Sequence, residues 1–193
     1  MPRPKKFEKE EVLKKAVDLF WEQGFHATSM DNLVTSLGIN RASMYNTFGS
    51  KQGLFQAAIQ QYKSESTKKI EKYFSKQENV RQGFGQYFTN LIESSTSDKI
   101  RKGCFVVNTT TELANSSQEI EIELDSNKVQ FENIFKAFLQ KGVEMGQISP
   151  YKDLEKIAAY FYTFQSGIQV MTKLSSTKEE LIQQVQMALK VLD

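Results

Sequence analysis

Residues 40–51 carry side chains suited to reading a DNA duplex. The run Asn40-Arg41-Ala42-Ser43-Met44-Tyr45-Asn46-Thr47-Phe48 has the length and polarity of a short exposed helix, with Met44 and Phe48 as its anchors. On such a helix an Arg can pair with guanine O6 and N7, and an Asn with adenine N6 and N7. Arg41 and Asn46 are the candidates for those pairs. Ala42 is small enough to let the backbone approach a thymine methyl, and Ser43 and Tyr45 complete the base-facing set. Thr28, Ser29 and Lys51 are candidates for the phosphates. Helix N-termini offer free N–H groups and a positive dipole end to an anion, and Lys51 adds a full charge just after a Ser50 cap. The plainer alternative is a solvated helix face with capping residues, and capping is compatible with phosphate contact at Thr28 and Ser29. Arg3, Lys5 and Lys6 form either an arm that reaches the duplex or a solubilising tail.

No set of residues points to catalysis. There is one His (His26) and one Cys (Cys104), with no Gly-rich phosphate loop and no cluster spaced for a metal. The acidic residues are scattered over polar faces. The expectation is therefore a protein that is not an enzyme, with no cofactor and no metal. Trp21 is expected in the core.

The elements that must position Arg41 to Asn46 are legible around them. Thr28 and Asp31 have the spacing of a capping box, and either Thr28 or Ser29 can cap a helix carrying Leu33, Val34 and Leu37. Gly38 can take the positive φ that a tight turn between two helices requires. Upstream, Val12, Ala16, Val17, Leu19 and Phe20 recur at helical spacing and the pattern stops at Gly24-Phe25. This is the grammar of a helix-turn-helix preceded by one supporting helix.

The rest of the chain reads as helix too. Its 193 residues suffice for a sizeable core, and 39% hydrophobic with 25% charged residues suits a globular protein. The only prolines are at positions 2, 4 and 150, and β-hairpin signals are absent. Apolar residues at a period of 3.6 predict helices near Ser50–Phe74, Val80–Glu93, Cys104–Asn115, Gln118–Met145, Asp153–Lys173 and Thr177–Leu192. Residues 94–98 are expected as a loop. Thr177 and Glu180 have the spacing of a second capping box. The fold class is all-α, with about nine helices and domains at 1–50 and 51–193. No apolar run approaches the ~20 residues of a membrane span, no signal peptide is evident, and a single cysteine suits a reducing compartment, so the expected location is the cytoplasm. Net charge is +2, divided as +3 over residues 1–63 and −1 over the remainder, which is compatible with a DNA-binding head.

Residues 28–55 resemble the DNA-binding domain of the TetR/AcrR-type bacterial regulators. The resemblance rests on the Thr28-Ser29 cap, the Leu37-Gly38-Ile39 turn, Tyr45-Asn46-Thr47-Phe48 and Ser50-Lys51-Gln52-Gly53-Leu54-Phe55. Thr47 departs from the more usual His or Tyr, and Gly53 from the common Glu. The stretch Arg101 to Ala114, with Gly103-Cys104-Phe105-Val106-Val107-Asn108, is similar to one branch of the family.

The resemblance implies a ligand-responsive repressor that binds a palindromic operator in double-stranded DNA as a homodimer. The dimer would form through the helices near 153–173 and 177–192, whose apolar surface exceeds what one core needs. It also implies a C-terminal cavity for a small hydrophobic effector, for which Phe84, Tyr87, Phe88, Phe105, Asn108, Phe131, Phe135, Tyr162 and Gln165 are candidates. Of these, Asn108 and Gln165 carry an independent signal, because buried amides need partners. Two alternatives are a redox or electrophile sensor built on Cys104, activated by Arg101 and Lys102, and a helical adaptor that has lost DNA binding.

Overall fold

The computed structural model describes residues 9–97, 101–174 and 177–193. Arg3, Lys5 and Lys6 lie outside them, as does Asp98 of the expected loop. The described residues form nine α-helices: α1 Lys9–Gln23, α2 Met30–Leu37, α3 Arg41–Phe48, α4 Lys51–Phe74, α5 Val80–Ser97, α6 Phe105–Leu113, α7 Gln118–Glu144, α8 Leu154–Met171 and α9 Lys178–Ala188. A short 3₁₀ turn, Leu189–Leu192, follows α9. Among the described residues no helix is long and apolar enough to cross a membrane.

Sequence-local caps set several of the boundaries. Ser29, Asn40, Ser50, Ser117, Asp153 and Thr177 each accept a backbone N–H from the first turn of the helix that follows. Thr177 and Glu180 close a full capping box. One boundary corrects the sequence reading. Residues 94–97, expected as loop, continue α5, and the Ser94 hydroxyl bonds back to the Leu91 carbonyl. A serine that satisfies its hydroxyl on the preceding turn can remain helical.

Two apolar cores result. The body core packs α5, α7, α8 and α9 around Phe84, Phe88, Phe135 and Phe161, all fully buried, with the Phe84 and Phe161 ring centroids 4.4 Å apart. The head core joins Val12, Ala16 and Phe20 of α1 to Leu33 and Leu37 of α2, Met44 of α3, and Leu54, Phe55, Ala58 and Ile59 of α4. Phe105, Val106 and Leu113 of α6 belong to this second core as well. The first half of α4 and the inner face of α6 therefore pack against the base of the head.

Candidate nucleic-acid interface and effector cavity

The helix-turn-helix is held by its own sequence. Gly38 ends α2 at φ 65°, the left-handed conformation expected for it. Ile39 and the fully buried Met44 then pin α3 to the head core. Asn40 Oδ1 accepts the Ser43 N–H at 2.8 Å and fixes where α3 begins. With Met44 inward, Arg41, Ala42, Tyr45 and Asn46 face solvent on one side of α3, and Ser43 is half-buried. Tyr45 is 44% exposed, well beyond what a core tyrosine shows. The candidate base-reading residues thus share one exposed face.

Arg41 is not free on that face. Its Nη2 lies 2.7 Å from Asp31 Oδ1 on α2, and both side chains are solvent-exposed. A pair this exposed adds little stability, on the order of 0–1 kcal/mol. Its consequence is orientation, because the guanidinium is anchored at the mouth of the turn.

The candidate phosphate contacts separate. Ser29 is exposed and caps α2 by accepting the Asn32 N–H at 3.0 Å. Thr28 is fully buried, and its hydroxyl donates to the Gly24 carbonyl at 2.5 Å. Thr28 therefore shapes the α1–α2 connection and cannot offer its side chain to a phosphate, which corrects the expectation from its capping position. Lys51 opens α4 with its ammonium 4.4 Å from the centre of the Phe25 ring. Burial lowers its pKa, and the Glu112 carboxylate opposes that shift.

Gly53 explains a departure from the family pattern. A Cβ at this position would sit 2.1 Å from the Phe48 carbonyl oxygen. A larger residue here would require the last turn of α3 and the first turn of α4 to move apart.

In the body, a cavity of about 440 Å³ lies between α4, α5, α7 and α8, with the N-terminal end of α6 as one wall. Of the residues expected to line it, Tyr87, Phe131, Tyr162 and Gln165 do so, and Cys104 joins them. The others do not. Phe84, Phe88 and Phe135 are fully buried in the body core, and Phe105 is packed edge-on to Phe55 and Tyr62 in the head core. Asn108 faces a separate cleft beside Glu112 and Lys173, where its amide donates to the Lys102 carbonyl and accepts from Lys173 Nζ. Helical spacing marks which residues point inward, but it does not tell packed core from cavity wall.

Among the wall residues that the sequence reading missed are Tyr62, Asn127 and Gln169. Asn127 had a signal. It follows Ile120 and Leu124 at core spacing on α7 and precedes Phe131, so a polar side chain stands where an apolar one is expected. It is 4% exposed, its Nδ2 donates weakly to the Tyr162 hydroxyl at 3.5 Å, and its Oδ1 has no partner among the described residues.

Cys104 does not have the surroundings of a reactive thiol. Burial pushes its pKa up, only partly offset by the Val107 N–H and the Tyr62 hydroxyl, which donates to Sγ at 3.8 Å. The cations expected to activate it are engaged elsewhere: Arg101 donates to the Leu174 carbonyl, and Lys102 lies 3.9 Å from Glu22 and faces the Trp21 ring. A half-buried thiol held in its protonated form is a poor nucleophile.

A capped recognition helix on a small three-helix head, joined to a helical body with a cavity between its helices, defines a helix-turn-helix transcription regulator. Comparison with known proteins agrees. Residues 12–58 match the family model for bacterial regulatory proteins of the tetR family, and residues 84–188 match the tetracyclin repressor-like C-terminal domain. The chain belongs to the tetR family, whose members are transcriptional regulators and not enzymes. It is 30% identical over 182 residues to the HTH-type transcriptional repressor ComR of Escherichia coli strain K12, covering 94% of this chain and 87% of ComR. It is 25% identical over 194 residues to the HTH-type transcriptional regulator YezE of Bacillus subtilis strain 168, covering both chains in full. Among solved structures, a cysteine mutant of the TetR family regulator CifR complexed with a 26-base-pair operator superposes with a TM-score of 0.84 at 26% identity, covering 97% of this chain and 98% of that one.

Proposed function

We propose that this chain is a repressor that binds a palindromic operator as a homodimer and leaves it when a small effector fills the body cavity. The observation that carries this reading is the path through α6. One end of α6, Val106 and Val107 with the Cys104 cap before them, forms cavity wall, and the other end carries Glu112, whose carboxylate accepts the backbone N–H groups of Phe25 and His26 in the head. A molecule that displaces the first end of α6 moves the attachment of the head at the second. Such a molecule acts only through its different affinity for the two arrangements.

Residues 1–50 serve as the DNA-binding unit and 51–193 as the effector and dimerisation unit, with α4 shared in packing. Arg41, Ala42, Ser43, Tyr45 and Asn46 read the major groove, and Ser29 and Lys51 meet phosphates. The dimer forms through α8 and α9, where Tyr160, Val170 and Met187 are exposed apolar residues unmatched by the chain's own core. Two recognition helices in such a dimer would be spaced by about one helical turn, on the order of 34 Å, or a multiple. The relative ComR is itself a transcriptional repressor, and the CifR mutant is seen on operator DNA. The protein acts in the cytoplasm, where the operator is.

The test is binding of the purified protein to DNA from upstream of its own gene, against random DNA, at about 0.15 M salt. A specific preference of ~10³-fold or more, lost in Arg41→Ala or Tyr45→Ala, is expected. Equal, salt-sensitive binding to both, together with no enriched sequence in a random-oligonucleotide selection, refutes it.

A further inference from the structure

The cavity contains one amide whose two ends do different things. Gln165 is 6% exposed, and its Oε1 accepts the Tyr87 hydroxyl at 2.6 Å. With Oε1 taking the Tyr87 proton, Nε2 is the end of the amide left over. Nε2 has no hydrogen-bond partner among the described residues. It is also not one of the sealed polar atoms, which are Trp21 Nε1 and Asn127 Oδ1. Its N–H groups therefore open onto the cavity that Gln165 lines.

Neighbouring amide oxygens are already committed. Gln169 Oε1 accepts from Ser95, and Asn90 Oδ1 accepts from Gln86. Gln165 Nε2 thus stands beside amide oxygens that are already engaged, and the unpartnered Asn127 Oδ1 is sealed off from solvent. Among the described residues no carboxylate lines the cavity, and the one charged residue that does is the exposed Lys69. Ile70, Leu91, Val107 and Phe131 supply apolar surface around the amide.

The geometry points to an uncharged, largely apolar carbonyl compound as the effector, its carbonyl oxygen accepting a hydrogen bond from Gln165 Nε2. This rests on the effector reading above and names the chemistry of that site. A carbonyl satisfies an enclosed donor without bringing a donor of its own, which a hydroxyl would. A carboxylate would be desolvated without an enclosed cation to pair with. Pockets of this kind bind through apolar area and take their specificity from a few placed polar groups. Leaving an enclosed donor unpaired costs enough to discriminate between ligands that differ in one oxygen.

The test is equilibrium dialysis of the full-length protein against 2-acetylnaphthalene, its isostere 2-isopropenylnaphthalene, in which CH₂ replaces the carbonyl oxygen, and 2-naphthoate. The ketone is expected to bind about tenfold tighter than the alkene, with naphthoate weakest. Gln165→Leu, shown to be folded by its thermal melt, is expected to bring ketone and alkene to equal affinity while keeping alkene binding. Equal binding of ketone and alkene to the wild type, an undiminished ratio in Gln165→Leu, or tightest binding of naphthoate each overturns the assignment. Binding of ketone and alkene alike would leave the cavity as an effector site of a different selectivity. Binding of none of the three removes both the carbonyl assignment and this cavity as the effector site.

Discussion

The Glu112 carboxylate accepts the His26 backbone N–H at 2.7 Å, and through its other oxygen the Phe25 N–H at 3.0 Å. The two residues are 86 positions apart in sequence and lie on opposite sides of the head–body junction. A charged acceptor taking two amide donors just past the end of α1 is a specific tie between α6 and the head, and it accounts for the acidic side chain at this position.

Removal of that tie is expected to loosen the junction. Glu112→Ala leaves two backbone donors to water, and because the site is exposed the cost is about 1 kcal/mol. For a chain of this size that corresponds to a fall in melting temperature of roughly 2–4 °C. Glu112→Gln, which keeps one acceptor oxygen, should fall between. Circular dichroism melts check this, and an unchanged midpoint in Glu112→Ala would show that the contact carries no load.

Gly53 sets two effects against each other. On helix propensity alone, Gly53→Ala should stabilise α4 by roughly 1 kcal/mol. The close approach of the Phe48 carbonyl, 2.1 Å from the added Cβ, opposes that. Because the obstructing atom is backbone, α3 must shift relative to α4, and overpacking of this kind costs about 1–3 kcal/mol. The expected outcome of urea denaturation is net destabilisation, with operator affinity reduced because α3 is displaced. A more stable variant with unchanged DNA binding would show that the junction yields easily.

The thiol gives a pH dependence of definite sign. Burial raises the Cys104 pKa in the folded state above its ordinary value. The unfolded thiol therefore releases its proton first as pH rises, and the folded state loses stability above about pH 8.5, continuing until the folded thiol itself ionises. Below that range the group contributes no slope. Urea denaturation between pH 7 and 10 should show a steeper alkaline loss in the wild type than in Cys104→Ala, where the buried tyrosines and Lys51 remain. Alkylation by iodoacetamide at pH 8 should be slow in the native protein and fast in urea. Rapid native alkylation would restore Cys104 as a sensor.

Much of the head was legible in the sequence because its signals are local. Ser29, Gly38, Asn40 and Ser50 each act within three or four residues, and the turn between α2 and α3 follows from them. The cavity was legible only in part, because its wall is assembled from five helices. Phe84 and Phe131 have the same chemistry and the same inward register. Whether each meets another ring or empty space is decided by partners far away in the chain. Thr28 shows the same difficulty in miniature. Its type and place suit a cap, yet the return of the chain at Gly24 turns its hydroxyl inward. Glu112 offered no sequence signal, since an acidic residue on a polar helix face is ordinary until the head is packed against it.

Base-reading and phosphate contacts on the head can be separated by their salt dependence. Arg41 stands at the exposed start of α3, oriented by Asp31, and Lys51 stands at the first turn of α4. If Arg41 reads a guanine, Arg41→Ala costs about 1–3 kcal/mol on the preferred operator and relaxes selection at one base-pair position per half-site. If Lys51 meets a phosphate, Lys51→Ala weakens binding to every sequence alike and lowers the slope of log K against log salt by about one for each half-site. Asp31→Ala removes both the anchor for Arg41 and a negative charge near the duplex. It should strengthen binding to random DNA while reducing preference at the position that Arg41 reads. A selection from random oligonucleotides with each variant, followed by affinity measured at three salt concentrations, distinguishes the roles. An Arg41→Ala protein with unchanged sequence preference would move base reading to Tyr45 and Asn46, the other large polar side chains on the exposed face of α3.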